Sequence, residues 1–239
     1  MISNYQTGNQ MYYGSDTGSF RIIPARHSEK CGVYDPRRRP WYVAASSGPK
    51  DVVLVLDVSG SMCDYGRIKL AKEAATTIVD TLTVADRVAI VKFSDVASLI
   101  GGQTSLIRAT KENKKLLIDA IDGLEAEGAT NFYDAFDKAF DAIDKTIRAE
   151  QTTGCNIAVL FMTDGQITQG PGEDDVINLV NDRTGQLATN FNRKTTIFTF
   201  SLGDLADHTV TKSIACNTDG IWTLVDDFAD DLVDEMSSY

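Results

Sequence analysis

The run Val52-Val53-Leu54-Val55-Leu56 has no helical period and no polar interruption, and it leads into Asp57-Val58-Ser59-Gly60-Ser61. Five aliphatic residues between Lys50-Asp51 and a turn-forming Ser-Gly-Ser describe a strand buried on both faces, because a strand with one wet face would alternate. A strand of this kind needs helices above and below the sheet. The rest of the chain supplies them in alternation. Residues 68–82 carry apolar side chains at helical spacing, 87–93 read as a strand, and 97–100 as a short strand returning antiparallel before Gly101-Gly102. Helices over 114–124 and 132–147 precede a second buried strand over 157–162. A helix over 176–191, a strand over 195–201, a short helix over 208–216, a strand over 221–224 and a closing helix over 228–236 complete the order. This alternation predicts an α/β fold: a doubly wound, mostly parallel, Rossmann-like sheet covered on both faces.

In such a sheet the loops at the carboxyl ends of the strands converge, and ligands bind there. Three of those loops carry oxygen side chains. Asp57, Ser59 and Ser61 stand two residues apart after the first buried strand. Thr130 lies in Gly128-Ala129-Thr130-Asn131 ahead of an amphipathic run, and Asp164 follows the second buried strand in Thr163-Asp164-Gly165. Carboxylates and hydroxyls are the donors that hard divalent cations prefer. Each loop alone has an ordinary reading: Ser59 or Ser61 capping the helix after Gly66, Thr130 capping the helix that begins at Phe132, Asp164-Gly165 making a turn. The three together, in order and each beside an appropriate element, specify a cation site.

The pattern Asp-x-Ser-x-Ser, then Thr, then Asp resembles the metal-ion-dependent adhesion site of the von Willebrand factor type A family, matched at Asp57, Ser59, Ser61, Thr130 and Asp164 without substitution. The resemblance implies that Ser59, Ser61 and Thr130 ligate Mg²⁺ or Ca²⁺ directly, that Asp57 and Asp164 act directly or through water, and that an Asp or Glu carboxylate from a protein partner takes an open position. A site dominated by neutral hydroxyls leaves the cation under-neutralised and attractive to such a carboxylate. Few acids also suit octahedral Mg²⁺ slightly better than Ca²⁺, which usually recruits more carboxylates. The implied function is a non-enzymatic, metal-dependent adhesion or interaction module.

Competing classes fit less well. A net charge of -11 opposes nucleic-acid binding, which needs a basic face to release counterions. No apolar stretch approaches a membrane span, and the first residues lack the basic start and apolar stretch of a signal peptide. A metal-dependent phosphohydrolase of similar topology would want a second acid two residues after its Asp nucleophile, where Ser59 stands, and a phosphate-holding Lys in the loops after Asp57 or Asp164, where there is none. His27 and His208 fall in no general-base motif. Cys31, Cys63, Cys155 and Cys216 lack zinc-site spacing; they allow three pairings as two disulfides, or, for Cys155 and Cys216, burial as small unbonded core residues. Cys63 directly follows the serine loop, where its oxidation would distort Ser61.

Residues 1–48 are distinct from the α/β region over 49–239. They are rich in Gly, Ser, Asn and Tyr, with strand-like pieces at 11–13 and 20–23 and a basic run through Arg37-Arg38-Arg39-Pro40-Trp41-Tyr42. So short a segment cannot bury a stable core alone. Together with Gly14-Ser15-Asp16-Thr17-Gly18, that run resembles part of a double Cache sensor domain, and residues 213–222 resemble its return segment. A Cache segment ahead of a type A domain resembles the arrangement of calcium-channel alpha2delta auxiliary subunits. This implies a piece of a longer extracellular or cell-surface protein. It also implies a small amino-acid-like ligand, should the Cache half be completed, with Arg39 on the ligand carboxylate and Trp41 and Tyr42 as pocket walls. Without that half, Arg39 and its neighbours read as a structural cluster.

Overall fold

A computed structural model describes residues 11–14, 20–23, 48–203 and 208–225. The chain divides into two units, Met1–Gly48 and Pro49–Tyr239. In the first, strands β1 (Met11–Gly14) and β2 (Phe20–Ile23) pair antiparallel, with Met11 opposite Ile23 and Gly14 opposite Phe20.

The second unit is built around β3 (Asp51–Asp57), all seven of whose residues are buried. It pairs in parallel with β4 (Arg87–Phe93) on one side and, across the other, with β7 (Ile157–Thr163). Strand β8 (Thr195–Leu202) continues the parallel sheet beyond β7, followed by β9 (Trp222–Val225). Two short strands, β5 (Ala97–Leu99) and β6 (Ile107–Arg108), run antiparallel against opposite ends of β4. The resulting order, β5-β4-β3-β7-β8-β9, reverses direction at β3. The chain first builds outward through β4 and then returns to place β7 on the other side. The carboxyl ends of β3 and β7 therefore flank the switch point, where crossover loops leave in opposite directions and open a crevice.

Alternate residues of β3 feed two cores. Val52, Leu54 and Leu56 pack with Ala71, Ala74, Ala75 and Val79 of α1 (Arg67–Thr81) and with Leu117 and Ile121 of α2 (Lys111–Asp122). Val53 and Val55 pack on the opposite face. There they meet Phe132, Phe136 and Phe140 of α3 (Phe132–Arg148), Val176, Val180 and Leu187 of α4 (Glu173–Phe191), and Val210 and Ile214 of α5 (Thr209–Asn217). The doubly wound α/β expectation is met. Residues 213–222, resembling a Cache return segment, lie in α5 and the start of β9 and so form part of this sheet's own cover and edge.

Several details depart from the sequence reading. Helix α2 begins at Lys111 rather than 114, because Thr110 caps it by accepting the Asn113 N–H at 3.3 Å. Helix α4 begins at Glu173 rather than 176. Its first turn is Glu173, Asp174 and Asp175, acids that favour a helix N-terminus but show no apolar period. Strand β6 is too short to read from pattern. Cys155 and Cys216 are not buried core residues: both, like Cys63, are exposed free thiols. Each sits just outside the neighbouring apolar run, Cys155 in the loop before β7 and Cys216 on the wet side of α5. Cys31 and the expected helix over 228–236 lie outside the described residues.

Phe161 is the centre of the α3-side core. Its ring stacks on Phe93 (5.4 Å between centroids) and Phe136 (4.6 Å) and meets Phe132 edge-on at 5.0 Å. Because it lies three residues before Asp164 on β7, this packing also fixes where the strand delivers its carboxyl end. Phe161→Ala is expected to lower unfolding stability by about 3–5 kcal/mol through lost burial and a residual cavity, measured by denaturant titration; a loss below about 1 kcal/mol would contradict a tightly packed centre here.

Candidate metal centre

Each oxygen residue is delivered by an element whose position the sheet determines. β3 ends at Asp57 and passes into a tight turn of 3₁₀ type, Gly60–Gly66, before α1. β7 ends at Thr163, so Asp164 is the first residue past the neighbouring strand. Thr130 lies two residues before α3. Backbone hydrogen bonds fasten the three loops to one another. Gly60 N–H donates to the Gly128 carbonyl at 2.9 Å and Glu127 N–H to the Val58 carbonyl at 2.7 Å. Thr130 N–H donates to Thr168 Oγ1 at 2.8 Å, while Thr168 and Gln169 N–H return to the Thr130 carbonyl at 3.0 and 3.2 Å. Gly128 is required in this lacing. Its φ is +85°, and a Cβ there would sit 2.4 Å from Asp95 Oδ2, whose partner oxygen Oδ1 accepts the Ala129 N–H at 3.0 Å.

The side chains then form a continuous chain of contacts. Asp57, fully buried, accepts the Ser59 N–H on Oδ1 at 2.8 Å and the Thr163 hydroxyl on Oδ2 at 2.5 Å. Ser59 Oγ lies 3.2 Å from Ser61 Oγ. Ser61 Oγ donates to Asp164 Oδ1 at 2.8 Å, and Arg67 Nη1 donates to Asp164 Oδ2 at 3.0 Å. Thr130 joins through Gly165: a Cβ built on that glycine would lie 3.7 Å from Ser61 Oγ and 3.9 Å from Thr130 Oγ1. All five residues expected from the sequence, Asp57, Ser59, Ser61, Thr130 and Asp164, therefore meet at the switch-point crevice.

The capping alternatives are not what these residues do. The N-cap of α1 is Gly66, with no side-chain cap, and the N-cap of α3 is Asn131, which accepts the Asp134 N–H at 3.2 Å. That leaves the hydroxyls of Ser59, Ser61 and Thr130 for the crevice. Thr130 Oγ1 has no hydrogen-bond partner among the described residues, although the residue is only 3% exposed. A hydroxyl that neighbours Gly165 and the Ser61 side of the crevice, and that no described residue engages, is available as a cation ligand. The donor set fits a hard cation: three hydroxyls and two carboxylates. Among the described residues no group of three or more His, Cys, Asp or Glu side chains gathers, so softer nitrogen or sulfur sites have no counterpart.

Arg67, Thr163 and Thr168 belong to this arrangement and escape a reading by ligand motif. Arg67 is the informative omission. A basic residue opening a helix whose other inward positions are Ala and Val is a signal, because a buried guanidinium requires a carboxylate partner. Cys63 also touches the lacing, with its thiol 3.6 Å from the Ala126 carbonyl. Arg39, Trp41 and Tyr42 lie outside the described residues.

Burial, which removes the Asp57 carboxylate from water, raises its pKa to about 6; the nearby Asp164 charge adds to this, and the hydrogen bonds from Ser59 and Thr163 oppose it. A raised carboxyl pKa means that the folded, metal-free chain holds a proton the unfolded chain has released. That contribution to stability is complete below about pH 4 and disappears as pH rises through about 6. A divalent cation makes the opposite demand, since it favours the ionised form. Mg²⁺ affinity is therefore expected to fall as pH drops through about 6 and to level off above about 7, approaching tenfold per unit on the acid side. Isothermal titration at a series of pH values measures this; affinity independent of pH across that window would contradict a carboxyl that must release a proton to admit the cation.

Comparison with known proteins gives three findings. Residues 52–166 match the family model of the von Willebrand factor type A domain. Over 214 residues the chain is 34% identical to the voltage-dependent calcium channel subunit alpha-2/delta-2 of Mus musculus, covering 88% of this chain and 17% of that protein. The chain thus spans less than a fifth of the length of that curated relative. Among solved structures, the von Willebrand factor type A protein from Catenulispora acidiphila aligns with a TM-score of 0.66 at 23% identity, over 80% of this chain and 42% of that one. Proximal thread matrix protein 1 from the mussel byssus, solved with a zinc-occupied MIDAS motif, aligns with a TM-score of 0.59 at 21% identity, over 80% of this chain and 44% of that one. At these identities the two structures speak for the fold.

Proposed function

On the premise that residues 52–166 form a von Willebrand factor type A domain homologous to calcium-channel alpha-2/delta subunits, we propose that this chain is a non-enzymatic, divalent-metal-dependent protein-binding module. Ser59, Ser61 and Thr130 hold Mg²⁺ or Ca²⁺, with Asp57 and Asp164 acting directly or through water. A partner's Asp or Glu carboxylate completes the coordination. The observation that carries this reading is the convergence of three hydroxyls and two acids from three laced loops at the sheet's switch point, with the Thr130 hydroxyl lacking a partner among the described residues. The cation supplies an electrophilic point that a carboxylate oxygen can reach. The protein's own work is to hold its oxygens in place before the ion arrives, so that little ordering remains to be done on binding.

The fold-level neighbour from mussel byssus has a zinc-occupied MIDAS motif, which supports a divalent ion in a crevice of this type. Homology to alpha-2/delta subunits supports an extracellular or cell-surface setting within a longer protein. It also supports the alternative reading, a role like that of a calcium-channel auxiliary subunit. Arg39, Trp41 and Tyr42 would serve a small amino-acid-like ligand in such a protein.

The test is isothermal titration of Mg²⁺ and of Ca²⁺ into chelator-stripped protein, beside Ser59→Ala and Thr130→Ala. These two remove a ligand without stranding a buried charge, as Asp164→Ala would do to Arg67. Saturable binding by the parent chain, weakened at least about tenfold in each variant with the thermal transition unchanged, is the expected result. Binding of equal strength in all three proteins would contradict the assignment.

A further inference from the structure

Arg67 is paired so closely with one acid of the candidate metal centre that it alters the charge of the whole site. It is the first residue of α1, 8% exposed, and its Nη1 lies 3.0 Å from Asp164 Oδ2, itself on a residue 4% exposed. The guanidinium is confined from other directions. Its Cζ sits 5.2 Å over the Tyr65 ring. The chain after β8 also passes close by: Gly203 has φ +92°, and a Cβ there would come within 2.4 Å of Arg67 Nη2. The charge is thus held near the crevice by an ion pair, an aromatic face and a glycine that leaves it room. A guanidinium is a permanent positive charge.

We propose that Arg67 is a specificity-determining residue: it keeps the metal-loaded site net positive, and so makes it select an anionic partner group at the open coordination position. The inference rests on the metal-binding reading above. Asp57 and Asp164 contribute two negative charges when ionised and Arg67 one positive. A divalent cation then leaves a surplus of one positive charge, which one partner carboxylate neutralises. Without Arg67 the two acids would already balance the ion, and an incoming carboxylate would meet a neutral site. Other acids nearby are at the surface, where water and salt screen them: Asp95 and Asp64 are both exposed. Asp57, Ser59, Thr130 and Asp164 are buried, with Ser61 at the exposed mouth, and among such buried groups a unit charge a few ångströms away has a large effect on an incoming ion. Arg67 therefore works against the cation and for the carboxylate. A residue that merely positioned Asp164 would support both.

That difference in sign provides the test. Mg²⁺ is titrated calorimetrically into the parent chain, Arg67→Gln and Arg67→Lys. Each Mg²⁺-saturated protein is then titrated with acetate as a minimal carboxylate, followed by the backbone amide NMR shifts of Ser59, Ser61 and Thr130. Arg67→Gln is expected to bind Mg²⁺ several-fold more tightly and acetate about tenfold more weakly, while Arg67→Lys, which keeps the charge, stays near the parent on both. Thermal melts in saturating Mg²⁺ establish that the variants are folded. If Arg67→Gln weakens Mg²⁺ and acetate together, Arg67 is only a structural support and the inference is overturned. Acetate binding unchanged in Arg67→Gln, with Mg²⁺ retained, overturns it as well and leaves the metal reading standing. A parent chain that binds no Mg²⁺ removes the metal reading, and this inference with it.

Discussion

The parallel pairing of β3 with β7 is the constraint on which the rest depends. Asp51 lies opposite Ile157 and Leu56 opposite Met162, so the two strands end side by side and release Asp57 and Asp164 into one crevice. The register is determined by burial. Val53 and Val55 face one helical layer while Val52, Leu54 and Leu56 face the other, and a slip of one residue would exchange the two sets and carry Asp57 out of place. Apolar packing remote from the site thereby positions its charged residues.

The second layer of organisation is polar. Three loops would pay a large ordering cost if each were held only at its ends, but here they are laced together by main-chain hydrogen bonds through Gly60, Gly128, Thr130 and Thr168. The side chains can then be sparing in charge. Asp57 is satisfied by Ser59 and Thr163, and Asp164 is balanced by Arg67. On the proposed reading three neutral hydroxyls remain as the principal cation donors. A site of this composition would hold a hard ion without exhausting its charge, and would suit recognition of an external carboxylate better than storage of metal.

Much of this was legible in the residues. The buried strands around Asp57 and Asp164 announce themselves by unbroken aliphatic runs, and the oxygens that follow lie within a few residues of predictable strand ends. Element boundaries were harder where local polar chemistry decides them: Thr110 starts α2 and three acids start α4, ahead of the first apolar position. Cys155 and Cys216 were misjudged because proximity to a core element does not say which way a side chain points. Arg67 was missed for a more general reason. A basic residue at the head of α1 signals that some acid must pair with it, but its partner Asp164 lies 97 positions away, and which acid that is becomes visible only when the fold closes.

On the proposed reading Asp57, Ser59, Ser61, Thr130 and Asp164 surround one hard divalent cation. Anomalous diffraction from crystals soaked in Mn²⁺ addresses it without reference to any partner. One strong anomalous peak is expected at the switch-point crevice, in coordination contact with the oxygens of Ser59, Ser61 and Thr130. An ordered, unshifted crevice with no peak, or with manganese bound only at acidic surface positions elsewhere, would contradict it.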